Sequence, residues 1–228
     1  MTTTTRDSAI LGWLVSGPDL ASGIDEPGRL LGSRSPAVAL DGATGTIASR
    51  VLLWGELHAC GQRVFASVRE VVWSADATAV LRDWALWCVR ETPLCDGRTV
   101  WHLLIDGRSR EAVETAERYD RGEASAVELE DARSAARDVC RLRQLDDPHE
   151  SAAYAAWQVA SQSARDAAWG AGTSTRRAAA GYAVRDRAPL APWGKADDAA
   201  WDAAWAAALA AQDAELERRL LALAPEGR

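Results

Sequence analysis

The sequence predicts an all-α fold, an irregular bundle of about seven to nine helices behind a loop-rich N-terminal segment. From Thr46 onward helical signals dominate, and helix-capping motifs stand at the heads of several of those stretches. The tetrapeptide Asp-Ala-Ala-Trp occurs at 166–169, 198–201 and 202–205, with Tyr154 to Trp157 a near copy. Alanine has the highest helix propensity and lets helix axes approach closely. A tryptophan from a neighbouring helix can then fill the space beside the alanines, and an aromatic ligand cage is the alternative use of such rings.

The chain of 228 residues suits one core without metal or disulfide staples. The expected division is a loop-rich cap over residues 1–45 and a single helical domain over 46–228. No apolar run is long enough to cross a bilayer, which takes about 18 residues or more. The start, Met1-Thr2-Thr3-Thr4-Thr5-Arg6-Asp7, lacks the cationic entry of a signal peptide. Cys60, Cys88, Cys95 and Cys140 are irregularly spaced, as for reduced thiols in a cytoplasmic protein. A net charge of -7 argues against nucleic acid as a partner, and no membrane partner or cofactor is implied.

Gly17-Pro18, Gly23, Pro27-Gly28, Gly32, Pro36, Gly42 and Gly45 punctuate the front, leaving room for short helices near Ser8 to Val15 and Pro27 to Leu31. Residues 46–73 are apolar and Val-rich; one or two helices are expected, with a β-hairpin as the competing assignment. Asp76 can cap a helix that places Val80, Leu81, Trp84 and Cys88 on one face and stops at Pro93. A short helix over Arg98 to Leu104 carries Trp101. Ser109 then caps a helix that runs to Arg121 and ends at Gly122.

Ser125 and Glu128 form a capping box, opening a helix to about Arg143 with Leu129, Ala132, Ala136 and Val139 inward. Asp147-Pro148-His149-Glu150 combines an N-cap, a first-turn proline and a capping-box glutamate. The helix it opens is expected to reach about Trp169 and to end at Gly170 and Gly172. A basic helix from Ser174 to about Arg187 follows, stopped by Pro189 and Pro192, and a last helix spans Asp197 to Leu223.

Cys88, Cys95 and His102 recur at seven-residue intervals, and His58 or Cys60 could complete a zinc set. Against zinc stand the absence of any Cys-x-x-Cys or His-x-x-x-His pair and the breaks at Pro93 and Gly97. His58, His102 and His149 are the only ready general bases, and no nucleophile elbow, phosphate loop or zinc-protease motif is present, so no enzyme activity is expected. Residues 105–150 hold 13 acids against 8 arginines, whereas residues 151–195 hold 2 acids against 6 basic groups. Glu117, Asp120, Glu128 and Asp131 are candidates for an acidic surface that meets a basic protein partner. The same charges can instead serve their own helices or face the basic helix within the fold.

The run Leu81-Arg82-Asp83-Trp84-Ala85-Leu86-Trp87-Cys88, the segment Ser109 to Ala124 (SREAVETAERYDRGEA) and the Ala/Trp-rich tail closing in Ala210 to Glu217 resemble the Imm-5-like immunity proteins of bacteria and phages. The resemblance covers residues 80–223. It implies a protein that binds a cognate toxin made by the same cell and neutralises it by occlusion; the acidic candidates above would suit a basic toxin domain. The alternatives are a structural or scaffolding helical module of phage or mobile-element origin and a Cys/His zinc-binding protein.

Overall fold

Strands occupy much of the front of the chain where helices and loops were expected. The computed structural model describes residues 9–16, 24–25, 29–41, 43–141, 148–187 and 195–225. Seven α-helices lie among them together with an antiparallel sheet, so the fold is mixed α/β and the all-α expectation is corrected. The chain divides into two units: Met1–Val80 with Leu216–Arg228, and Leu81–Glu215.

The first unit is built on strands β1 (Ile10–Ser16), β2 (Ile24–Asp25), β3 (Arg29–Ser33), β4 (Ile47–Trp54), β5 (His58–Cys60), β6 (Arg63–Ala66) and β7 (Val68–Asp76), with one short helix, α1 (Pro36–Ala39). The order is β5-β6-β3-β1-β4-β7, with β2 added beside β3. The expected helices at Ser8 to Val15 and Pro27 to Leu31 are replaced by β1 and β3 where described, and the segment 46–73 takes the β option.

β1 and β4 pair from Ile10↔Leu53 to Ser16↔Ile47. This register puts Ile10, Gly12 and Leu14 on the same face as Leu53, Val51 and Ser49, because residues directly opposite share a face. Leu14, Val51, Leu53, Val64 and Ala66 form the buried aliphatic cluster, with Ile10 and Leu57 packed on it. The glycine at 32 is a packing device: a Cβ there would lie 2.6 Å from Leu53 Cδ1. In strand β3 this glycine is what lets the Leu53 side chain lie flat on the neighbouring backbone.

On the opposite face Trp13, Arg50 and Trp73 form a row across β1, β4 and β7. Trp13 is fully buried. Its ring meets Trp73 edge-on at 5.7 Å, and the Arg50 guanidinium lies 4.5 Å from its centroid. Trp13 Nε1 donates to Glu217 Oε1 at 3.2 Å, and Arg50 Nη1 reaches the same oxygen at 3.3 Å. Past Arg50 the β4–β7 register shifts by one, from Arg50↔Trp73 to Val51↔Val71, a bulge that breaks the alternation of β7.

The second unit is helical: α2 (Thr78–Glu91, from Leu81 onward), a 3-10 turn (Val100–Leu103), α3 (Gly107–Asp120), α4 (Ala126–Arg141), α5 (Pro148–Val159), α6 (Ala164–Arg187) and α7 (Lys195–Leu221, to Glu215). α2 starts as expected, the Thr78 amide donating to Asp76 Oδ1 at 2.9 Å. α3 starts earlier than expected, its N-cap being Asp106. Ser125 and Glu128 make the reciprocal box: the Ser125 amide donates to Glu128 Oε2 at 2.7 Å and the Glu128 amide to Ser125 Oγ at 3.2 Å. Asp147, Pro189 and Pro192 lie outside the described residues.

The long helix expected from Pro148 to Trp169 ends at Val159, and α6 runs through Gly170 and Gly172 without stopping. The Gly172 backbone faces the Trp84 indole: a Cβ there would sit 2.7 Å from Trp84 Cη2. The indole-against-small-residue packing therefore occurs, but through Trp84, which is 1% exposed. The tandem-repeat tryptophans do not bury fully: Trp157, Trp201 and Trp205 are half-buried and Trp169 is exposed.

A polar knot lies beside Trp84. Gln212 of α7, fully buried, donates from Nε2 to Thr92 Oγ1 at 2.9 Å and to Thr175 Oγ1 at 2.7 Å. Its Oε1 accepts from Arg176 Nη1 at 3.1 Å, and its main-chain oxygen accepts from Trp84 Nε1 at 3.1 Å.

Two substitutions test these cores by urea denaturation. Gly32→Ala is expected to cost about 1–3 kcal/mol, because Leu53 must leave its rotamer. Gln212→Leu is expected to cost about 2–4 kcal/mol by stripping Thr92 and Thr175 of their donor. A loss under about 0.5 kcal/mol in either would contradict the packing described.

Candidate functional site

The four candidate acids fall on two helices and differ in what they already hold. Glu117 takes a two-pronged bond from Arg90 of α2, Nε to Oε1 at 2.8 Å and Nη2 to Oε2 at 2.9 Å. The Arg90 guanidinium also stacks 3.7 Å from the Trp101 centroid. Asp120 pairs with Arg82 at 3.5 Å. Glu128 is engaged in its capping box, and the Ser125 amide and hydroxyl hold its carboxyl below the usual range. Asp131 is exposed and makes no ion pair with a described residue. The α2 arginines thus bind α3 and α2 together through the acids that sequence spacing assigned to a surface.

Burial pushes the Asp120 carboxyl up, with the Arg82 charge acting in the other direction. A carboxyl raised in the folded state holds its proton more tightly there, so its ionisation removes stability as pH rises through its folded pKa. At pH 7 Asp120→Asn is expected to leave stability within about 0.5 kcal/mol of the parent or slightly above it. Glu117→Gln, which breaks a two-pronged charged bond at a partly exposed pair, is expected to cost about 1 kcal/mol. Paired thermal and urea melts decide this; the reverse ranking removes the assignment of α2–α3 cohesion to Arg90–Glu117.

α4 presents an outward row of Val127, Glu130, Asp131, Ser134 and Asp138, all exposed. Val127 is 70% exposed, the most exposed of the large apolar side chains named among the described residues. Helical spacing places 127, 130, 131, 134 and 138 on one face. Val127 opens this row from the first turn of α4, and the residues that follow it on the face are polar or acidic.

The metal candidates are separated by environment. Cys88 is fully buried, and burial pushes its thiol well up. Cys95 is exposed on the 93–99 loop, closed by the Pro93↔Thr99 bridge, and His102 is exposed, its Nδ1 accepting from the Thr99 amide at 3.3 Å. His58 and Cys60 are exposed in β5. Among the described residues no three His, Cys, Asp or Glu groups come together as a metal site. His149 Nδ1 lies 2.9 Å from the Leu103 carbonyl oxygen.

Sequence spacing missed a cleft of about 400 Å3 between α4, α5 and α6. Arg137, Cys140 and Arg141 line it from one face of α4, and Glu150, Ser151, Tyr154 and Trp157 from α5. Ser174 and Arg177 of α6 complete it. The Tyr154 and Trp157 rings meet at 4.7 Å and 79°, and the Arg137 guanidinium lies 5.8 Å from the Trp157 centroid. Burial, with the Glu150 charge, pushes the Cys140 thiol up to about 11, so it is not a nucleophile at neutral pH. The near-repeat Tyr-Ala-Ala-Trp was the signal that could have found it, since 154 and 157 stand one helical turn apart.

No described helix is long and apolar enough to cross a membrane. No protein-family model, no curated protein and no solved structure matches this chain.

Proposed function

We propose that this chain is an immunity-type protein that binds a cognate bacterial toxin and neutralises it by covering its active cleft, with no chemistry of its own. The observation that carries the proposal is the outward face of α4, where Val127 stands exposed among Glu130, Asp131 and Asp138. An exposed apolar residue at the N-terminal end of a helix face that carries Glu130, Asp131 and Asp138 suits a basic partner surface: the acids steer encounter and the valine supplies a dry contact. The resemblance of residues 80–223 to the Imm-5-like immunity proteins supplies the class of partner. Glu128 and Asp131 head the contact surface in this proposal. Glu117 supports it from behind by fixing α3 on α2 through Arg90, with Asp120 paired to Arg82 beside it.

Co-expression with the toxin encoded beside this gene tests the idea. Cells are expected to survive only when the chain is present, and Asp131→Lys with Glu130→Lys is expected to weaken toxin binding at least about tenfold, with a steep salt dependence in the parent. Equal killing with and without the chain sinks the proposal.

A further inference from the structure

The α4–α5–α6 cleft has features that toxin occlusion does not use. Its volume of about 400 Å3 lies in the range of small-molecule sites. Among the described residues three arginines line it against one glutamate, a formal surplus of two positive charges. Arg141 has a weak companion in Asp138 at 3.9 Å, both side chains being more than 60% exposed. Arg137 and Arg177 make no ion pair with a described carboxylate. Arginines in folded proteins find carboxylates readily, so two such guanidiniums at the rim of one cleft leave a place for an external anion.

The walls add a second, independent feature. Ser151 and Ser174 are 8% and 9% exposed, line the cleft, and make no hydrogen bond with a described residue. Both hydroxyls therefore remain open to a ligand that fills the cleft. Tyr154, which is 41% exposed, and Trp157, half-buried, both line the same space, their rings meeting edge to face at 4.7 Å. Exposed rings of this kind bind flat ligands by stacking, which is worth about 1–3 kcal/mol per base in nucleic-acid binders.

We propose that this cleft binds a small organic phosphate carrying a flat ring, with the phosphate at Arg137 and Arg177 and the ring against Tyr154 and Trp157. A phosphomonoester carries a charge of about −1.5 to −2 at neutral pH, which matches the surplus, where one carboxylate would leave a cation unmatched. Glu150, 7% exposed, also lines the cleft, and its charge keeps the phosphate on the arginine side and leaves the remaining wall to the ring. Ser151 and Ser174 then meet the polar edge of the ring.

Titration calorimetry on the full chain tests this with adenosine and uridine 5′-monophosphate, the two parent nucleosides, and inorganic phosphate. At least one nucleotide is expected to bind with a Kd below about 1 mM, and its nucleoside and inorganic phosphate at least about tenfold more weakly. Arg177→Gln and Arg137→Gln, both at exposed positions and checked for unchanged circular dichroism, are each expected to weaken the nucleotide about tenfold. The proposal is overturned if neither nucleotide binds below about 1 mM, if phosphate alone or the nucleoside binds as tightly as the nucleotide, or if the two variants bind like the parent. Binding is read on the isolated chain, so failure here is separate from failure of toxin neutralisation.

Discussion

The helical unit depends on one buried amide. Gln212 is the point at which α7, α6 and the end of α2 are joined: both amide protons and the carbonyl oxygen are used, and its main chain takes the Trp84 indole. Helices made largely of alanine have flat, nearly featureless faces, which specify contact distance but not register along the axis. A fully satisfied polar network supplies the missing register, since sliding α7 by one turn would strand several buried hydrogen-bonding groups at once. Thr175 is held in turn by donating to the Ala171 carbonyl at 2.8 Å, so the network is anchored to the α6 backbone.

How much of this was legible follows from which interactions are local. Capping boxes and helix heads are short-range, and those at Asp76 and Ser125 stand where the sequence puts them. Helix ends were misplaced where glycine does two jobs. Gly170 and Gly172 read as stops, but each is a close-approach position inside α6, against Gln158 and Trp84. The front of the chain failed for the same reason in a sheet: Gly32 looks like a turn residue and is a strand residue beneath Leu53, which lies over Gly12 as well. Nothing within a few residues of either glycine announces the leucine that lies over it.

The functional residues divide along similar lines. Spacing identifies Glu117 and Asp120 as acidic and helical, but their arginine partners sit on α2, more than two dozen positions earlier, so their structural use was invisible. The cleft was hidden because it joins α4, α5 and α6, and because tryptophan beside alanine reads first as core. Trp84 follows that rule and Trp157 does not, although both stand among alanines in the sequence. The difference lies in what the partner helix offers: glycine at 172 receives the Trp84 ring, while Trp157 is flanked by Arg133 and Arg137.

The Trp13–Glu217 bond spans 204 positions. A chain leaving the ribosome exposes its first strands long before the carboxylate that receives both the Trp13 indole and the Arg50 guanidinium has been made. Until then the tryptophan face of the sheet holds a cation whose acid has not yet been translated. The sheet unit is therefore finished last, by a loop closure encompassing nearly the whole polypeptide, although its strands emerge first. During elongation its edge strands are the part of the nascent protein most in need of protection from other chains.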